Sequence, residues 1–125
     1  MALRGVPADS ILELAGLLDI PLEVLSRALG IAPVTVRRKT KSHELLTLDQ
    51  AERVLGLQRI VGFVEWMVEY CGDATNFDAG VWTGRWLTTR QPALGGVLAI
   101  QYLDTIAGQE ALLELLGRNV SGTYA

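Results

Sequence analysis

The sequence holds one cysteine, Cys71, and one histidine, His43, in 125 residues. A single thiol excludes an internal disulfide framework and fits a reducing, cytoplasmic setting. A single imidazole lacks the partners of a metal site or a catalytic pair, so His43 reads as a surface residue within reach of a phosphate. No run of about 18 charge-free apolar residues is present, and no transmembrane helix is expected. The opening MALRGVPADS lacks the apolar core of a signal peptide. β-branched runs with period-two alternation are scarce. There is no phosphate loop, nucleophile elbow or histidine–carboxylate cluster. Gly95-Gly96 lacks the strand and the lysine that a phosphate loop needs, and Asp104 and Glu110 read as ordinary acids. The expectation is a binding protein, not an enzyme, with no cofactor and no metal.

Acid is also missing locally. Between Arg27 and His43 stand Arg27, Arg37, Arg38, Lys39 and Lys41 with no carboxylate among them, although the net charge is −3. From Thr47 onward acids outnumber bases. A basic face on an acidic protein suits a compact operator-binding module, and equally a solvated helix face.

Half of the residues are apolar, enough for one domain or two small lobes sharing a core. Residues 1–8 read as a short arm. Asp9-Ser10 can cap a helix whose Ile11, Leu14, Ala15 and Leu18 recur at helical spacing. Pro21 opens a second helix, to Leu29, with Gly30 at the position that wants a left-handed residue. Pro33 opens a third, to about Lys41. Two short helices joined by a glycine turn, the second basic, read as helix-turn-helix.

Thr47-Leu48-Asp49-Gln50 fits a capping box. A long helix should follow, from Leu48 to about Tyr70, with Ala51, Val54, Leu55, Gln58, Val61, Phe63, Val64, Met67 and Val68 crowding its circumference. Such a helix is central to its own core, or also faces a second copy. Gly56 and Gly62 each cost about 1 kcal/mol in a helix, a cost kept where another helix approaches closely. Asn76 can cap the next helix, Phe77 to about Thr88. It carries Trp82 and Trp86 on one face as core or interface anchors, or as a stacking platform for nucleic acid. Pro92 disfavours helix at Gln91, and Gly95-Gly96 can reverse the chain. The whole stretch reads as helix, tight connection, helix, the last helix spanning about Gln109 to Arg118.

The wording of that stretch adds to the physics. Trp86-Leu87-Thr88-Thr89-x-x-Pro92-Ala93-Leu94-Gly95-Gly96, then Asp104-Thr105, Gly108 and Leu115-Leu116-Gly117-Arg118, resembles the C-terminal toxin-binding domain of the Xre/MbcA/ParS antitoxin family. Leu29-Gly30-Ile31-Ala32-Pro33-x-Thr35-Val36-x-Arg38-Lys39 looks like the family's N-terminal helix-turn-helix. Two departures stand out: Ala99 replaces a usual proline, and Asn119 a usual isoleucine.

The resemblance implies an all-α fold. Residues 1–46 form the helix-turn-helix region, 47–118 a helical dimerisation and toxin-binding domain, and 119–125 a C-terminal tail. It implies a partner RES-domain toxin that consumes NAD, an operator DNA, and a homodimer within a larger complex, with no membrane. On the DNA side Thr35, Arg38 and Lys39 lie nearest the groove, while Arg37, Lys41 and Arg27 hold phosphates. On the toxin side the family's C-terminal end blocks the NAD pocket. That role falls to Ser121, Gly122, Thr123 and Tyr124, with the Tyr124 ring as anchor. From composition alone this tail also reads as a frayed terminus. The alternative to a neutralising antitoxin is a stand-alone dimeric helix-turn-helix repressor.

Overall fold

The computed structural model describes residues 5–71 and 76–124, with side chains over 5–70 and 76–118. Among them are six α-helices: α1 Asp9–Leu18, α2 Leu22–Ala28, α3 Pro33–Lys41, α4 Leu48–Cys71, α5 Ala79–Leu87 and α6 Ile106–Tyr124. Two short strands, β1 Arg90–Gln91 and β2 Val97–Leu98, pair antiparallel between α5 and α6. The fold is all-α with this one small ribbon. No helix among the described residues is long and apolar enough to cross a membrane.

The N-terminal helices form as their end signals dictate. Gly30 takes φ +76° after α2, and Pro33 sits in the first turn of α3. The α1 cap differs from expectation. Ala8 is the N-cap, without a side-chain hydrogen bond, and Asp9 already lies in the first turn. There its carboxylate favours the positive end of the helix dipole. Residues 5–8 are not a loose arm. Leu46 N–H donates to Val6 O at 2.8 Å, Pro7 bridges Leu45, and Ala8 is buried.

The capping box opens α4 as expected: Gln50 N–H donates to Thr47 Oγ1 at 3.3 Å, and Thr47 N–H to Gln50 Oε1 at 3.0 Å. Ala51, Val54, Leu57, Ile60, Val61 and Val64 face the core. Of the residues expected to crowd its circumference, Leu55 and Gln58 are exposed. A helix apolar nearly all round has no single stripe from which to choose the inward residues.

Three packing contacts join the chain into one core. Arg53 Nε donates to Leu29 O at 2.7 Å, tying α4 to the end of α2. Gly80 and Gly84 on α5 lie against the last carbonyls of α1, where a methyl at either would meet Leu17 O or Leu18 O. Gly56 on α4 takes the buried side chain of Gln109 from α6.

The C-terminal half corrects three boundaries. The cap of α5 is Asp78, whose Oδ1 accepts from Val81 N–H at 3.0 Å, and the helix starts at Ala79. Asn76 lies outside it with φ +62°. Between α5 and α6 the chain makes more than a tight connection. Gly95 and Gly96, at φ +74° and +82°, turn β1 back onto β2, pairing Arg90 with Leu98 and Gln91 with Val97. A 3₁₀ turn, Ala99–Tyr102, then leads to α6. That helix begins at Ile106, with Thr105 Oγ1 accepting from Gly108 N–H at 2.9 Å. It does not stop at Arg118: its backbone runs to Tyr124. No proline follows Gly117 to break the ladder, and Gly117 and Gly122 cost the helix only about 1 kcal/mol each.

Candidate functional site

The helix-turn-helix face is built on a buried hinge. Val36 and Ile31 both point into the core, as their spacing predicts. Ser26, fully buried, donates its hydroxyl to Ile31 O and so fixes the turn between α2 and α3. Of the other α3 side chains, Pro33 is buried and the Thr40 hydroxyl is covered, and the rest are presented outward. Arg37, Arg38 and Lys41 are exposed, and Thr35 and Lys39 are half-buried. Val34 stands beside them, 69% exposed. It was not among the sequence candidates, because an isolated valine carries no charge signal.

Arg37, Arg38 and Lys39 are each held by a neighbour. Arg37 forms an ion pair with Glu23 on α2. Arg38 Nη1 lies 3.3 Å from Glu44 Oε2, and Lys39 Nζ donates to Leu45 O at 3.3 Å. His43, exposed and at φ +56°, turns the chain so that Glu44 comes back to the end of α3. Ser42 Oγ sits 2.6 Å from Glu44 Oε2 and 2.9 Å from Arg38 O. The Ser42 hydrogen bond holds the Glu44 carboxyl below the usual carboxylate range; desolvation opposes it, and the charges of Arg38 and Lys39 add lesser help in the same direction. Both acids fall just outside the acid-free window, so a charge count within it misses them.

The second surface runs along α4 and α6. Leu48, Glu52, Leu55, Arg59, Gly62 and Trp66 recur at alternating spacings of four and three, and all are exposed. Leu55, Arg59 and Ile106 border a groove of about 240 Å³ between the two helices. Farther along, Phe63, Trp66 and Tyr70 stack in a ladder, with centroids 5.8 and 5.1 Å apart. The tryptophans of α5 divide their roles. Trp86 is buried, while Trp82, stacked on it at 6.5 Å, is exposed and leans on Phe77. The backbone of Ser121, Gly122, Thr123 and Tyr124 forms the last turns of α6. Their side chains lie outside the described residues.

This order of elements matches known proteins in two places. Residues 1–59 match the antitoxin Xre-like helix-turn-helix domain, and residues 77–120 match the antitoxin Xre/MbcA/ParS C-terminal toxin-binding domain. Over 122 residues the chain is 38% identical to the Prs ADP-ribosylating antitoxin of Sphingobium sp. (strain YBL2), covering 98% of this chain and 77% of that protein. The chain belongs to the Xre/MbcA/ParS antitoxin family. It is an antitoxin with a helix-turn-helix domain followed by a toxin-binding domain, and it acts by binding rather than by catalysis. The antitoxin's α5, ribbon and most of α6 fall inside the toxin-binding match, while α4 bridges the two matched regions.

Proposed function

We propose that this antitoxin neutralises a RES-domain toxin that consumes NAD, and that it represses its own operon through the helix-turn-helix. The observation that carries the first part is the toxin-binding match over residues 77–120. It ends one residue before Ser121, on the helix that continues to Tyr124. Ser121, Gly122, Thr123 and Tyr124 then close the toxin's NAD site as the end of a helix rather than as an extended tail. The name of the Sphingobium relative supports an NAD-dependent partner. ADP-ribosyl transfer takes its ADP-ribose from a dinucleotide such as NAD, so the toxin's activity is either hydrolysis of NAD or transfer from it.

The second part rests on the exposed bases of α3. Arg38, Lys39 and Thr35 face the groove, and Arg37, Lys41 and Arg27 face phosphates. A cytoplasmic site of action follows from both partners. The antitoxin also pairs with a second copy along the α4 seam. Glu52 and Arg59 lie one heptad apart on it, so an antiparallel two-fold pairing sets Glu52 of one copy against Arg59 of the other.

The test is NAD loss and ADP-ribose release or transfer by the RES-domain protein encoded beside this gene. The antitoxin is added as the full chain or ending at Asn119. Suppression by the full chain, with binding but no suppression by the shorter one, assigns the block to residues 120–125. Equal suppression by both moves inhibition to the helical body. If neither binds, the neutralisation reading fails and a stand-alone dimeric repressor takes its place.

A further inference from the structure

The bases of the recognition helix meet carboxylates from either side in sequence. Glu23 reaches Arg37 from α2, and Glu44 reaches Arg38 from beyond the end of α3. The second contact is built rather than incidental. His43 takes a left-handed conformation, Glu44 N–H donates to Lys39 O at 2.8 Å, and Ser42 Oγ lies 2.6 Å from the carboxylate. Three consecutive residues thus cooperate to put one anion on Arg38. Among the described residues, no carboxylate lies within ion-pair distance of Lys41 or Arg27.

A carboxylate on a guanidinium presents the same acceptor geometry as a phosphate oxygen. Any backbone phosphate approaching Arg38 must displace Glu44 and then remain near it. That cost falls on every DNA sequence alike, because phosphates carry no sequence information. A base edge differs in one respect. A guanine offers neutral acceptors to Arg38, and these suffer far less repulsion from a neighbouring carboxylate than a charged phosphate does.

We propose that Glu44, oriented by Ser42, is a specificity-determining residue of the DNA-binding face, screening Arg38 from backbone phosphates so that non-specific duplex is held weakly. The proposal rests on the reading of α3 as the DNA-facing helix. Glu23 plays a lesser part on Arg37, since among the described residues no second hydrogen bond holds it.

The experiment compares the full-length wild type with Glu44→Gln and Ser42→Ala. Fluorescence anisotropy is measured on a duplex from the antitoxin's own promoter region and on a scrambled duplex of equal length. Circular dichroism checks that each variant melts as a folded protein. Glu44→Gln is expected to bind the scrambled duplex about five- to tenfold more tightly at low salt, with the gain shrinking as salt rises. The promoter duplex gains less, so the ratio of the two affinities falls. Ser42→Ala moves the same way by a smaller factor. Equal or weaker binding of both duplexes by Glu44→Gln overturns the proposal, and weaker binding makes Glu44 a support for Arg38 instead. A gain equal on both duplexes overturns the specificity role alone. If no variant, wild type included, binds either duplex at low salt, the DNA-facing reading of α3 fails and the proposal fails with it.

Discussion

Gln109 occupies the notch that Gly56 leaves in α4. Its amide Nε2 donates to Arg53 O and to Leu103 O, each at 2.9 Å, and a methyl on Gly56 would overlap its Oε1. One buried side chain thus ties α6, α4 and the 3₁₀ turn together, and it does so through hydrogen bonds that only an absent side chain permits.

Gly56→Ala should therefore destabilise the fold, although alanine is intrinsically the better helix former by about 1 kcal/mol. Evicting Gln109 leaves buried carbonyls unpaired, at about 1–3 kcal/mol each. With two such carbonyls the net expectation is a loss of about 1–5 kcal/mol, seen as a melting temperature lower by at least several degrees. Gly62→Ala is the control. Nothing lies within 4 Å of the position in one chain, so the same change should stabilise the monomer slightly. A melting temperature unchanged in Gly56→Ala would show that Gln109 has an equally good second seat.

The α4 seam gives an oligomeric prediction. If two copies pair antiparallel, Arg59→Glu sets like charges together at two symmetric places. The dimer should weaken at least about tenfold, roughly 1.4 kcal/mol. Adding Glu52→Arg restores the pairing with its signs exchanged. Sedimentation velocity at micromolar concentration reads both. A wild type that sediments only as monomer removes the seam as a dimer interface.

The Glu44 carboxyl supplies a pH prediction with a definite sign. Its folded-state pKa lies below the ordinary 4.5, chiefly through the Ser42 hydrogen bond. A depressed carboxylate contributes stability that is present above its unfolded pKa and is lost as pH falls through the folded one. The wild type should melt above Glu44→Gln at neutral pH, and the gap should close as pH drops below about 4.5. His43 is present in both proteins and cancels from the difference. A gap that persists in strong acid would assign the effect to packing rather than charge.

What could be read from sequence follows the range of the interaction. Gly30, Pro33 and the Thr47–Gln50 capping box are local signals, and the structure places each where the spacing predicted. The Gly95-Gly96 reversal is equally local, but the pairing of Arg90 with Leu98 that it permits is not. In α4 the outward Leu55 and the inward Leu57 look alike, because only the packed neighbours distinguish them. The close approach at Gly56 is legible as the cost of a glycine in a helix interior, yet its occupant, 53 positions away, is not. On the outer face of α3 the bases are evident from composition. The carboxylates that answer them depend on a left-handed turn at His43 and on the packing of α2 against α3.

The division of labour between the two surfaces is open to a direct test. The α3 helix packs against α1 and α2, whereas α6 packs against α4. Arg38→Ala with Lys39→Ala removes two cations from an exposed or half-exposed face and cuts no core contact. The double variant should keep its melting temperature within about 1 kcal/mol of wild-type stability. It should lose most of its affinity for promoter DNA. Its salt dependence should change little in the slope of log K against log salt, since the phosphate contacts assigned to Arg37, Lys41 and Arg27 remain. Suppression of NAD consumption by the same protein should be unchanged. Failure of suppression in a folded double variant would mean that the toxin also leans on α3, and the two surfaces would then be one.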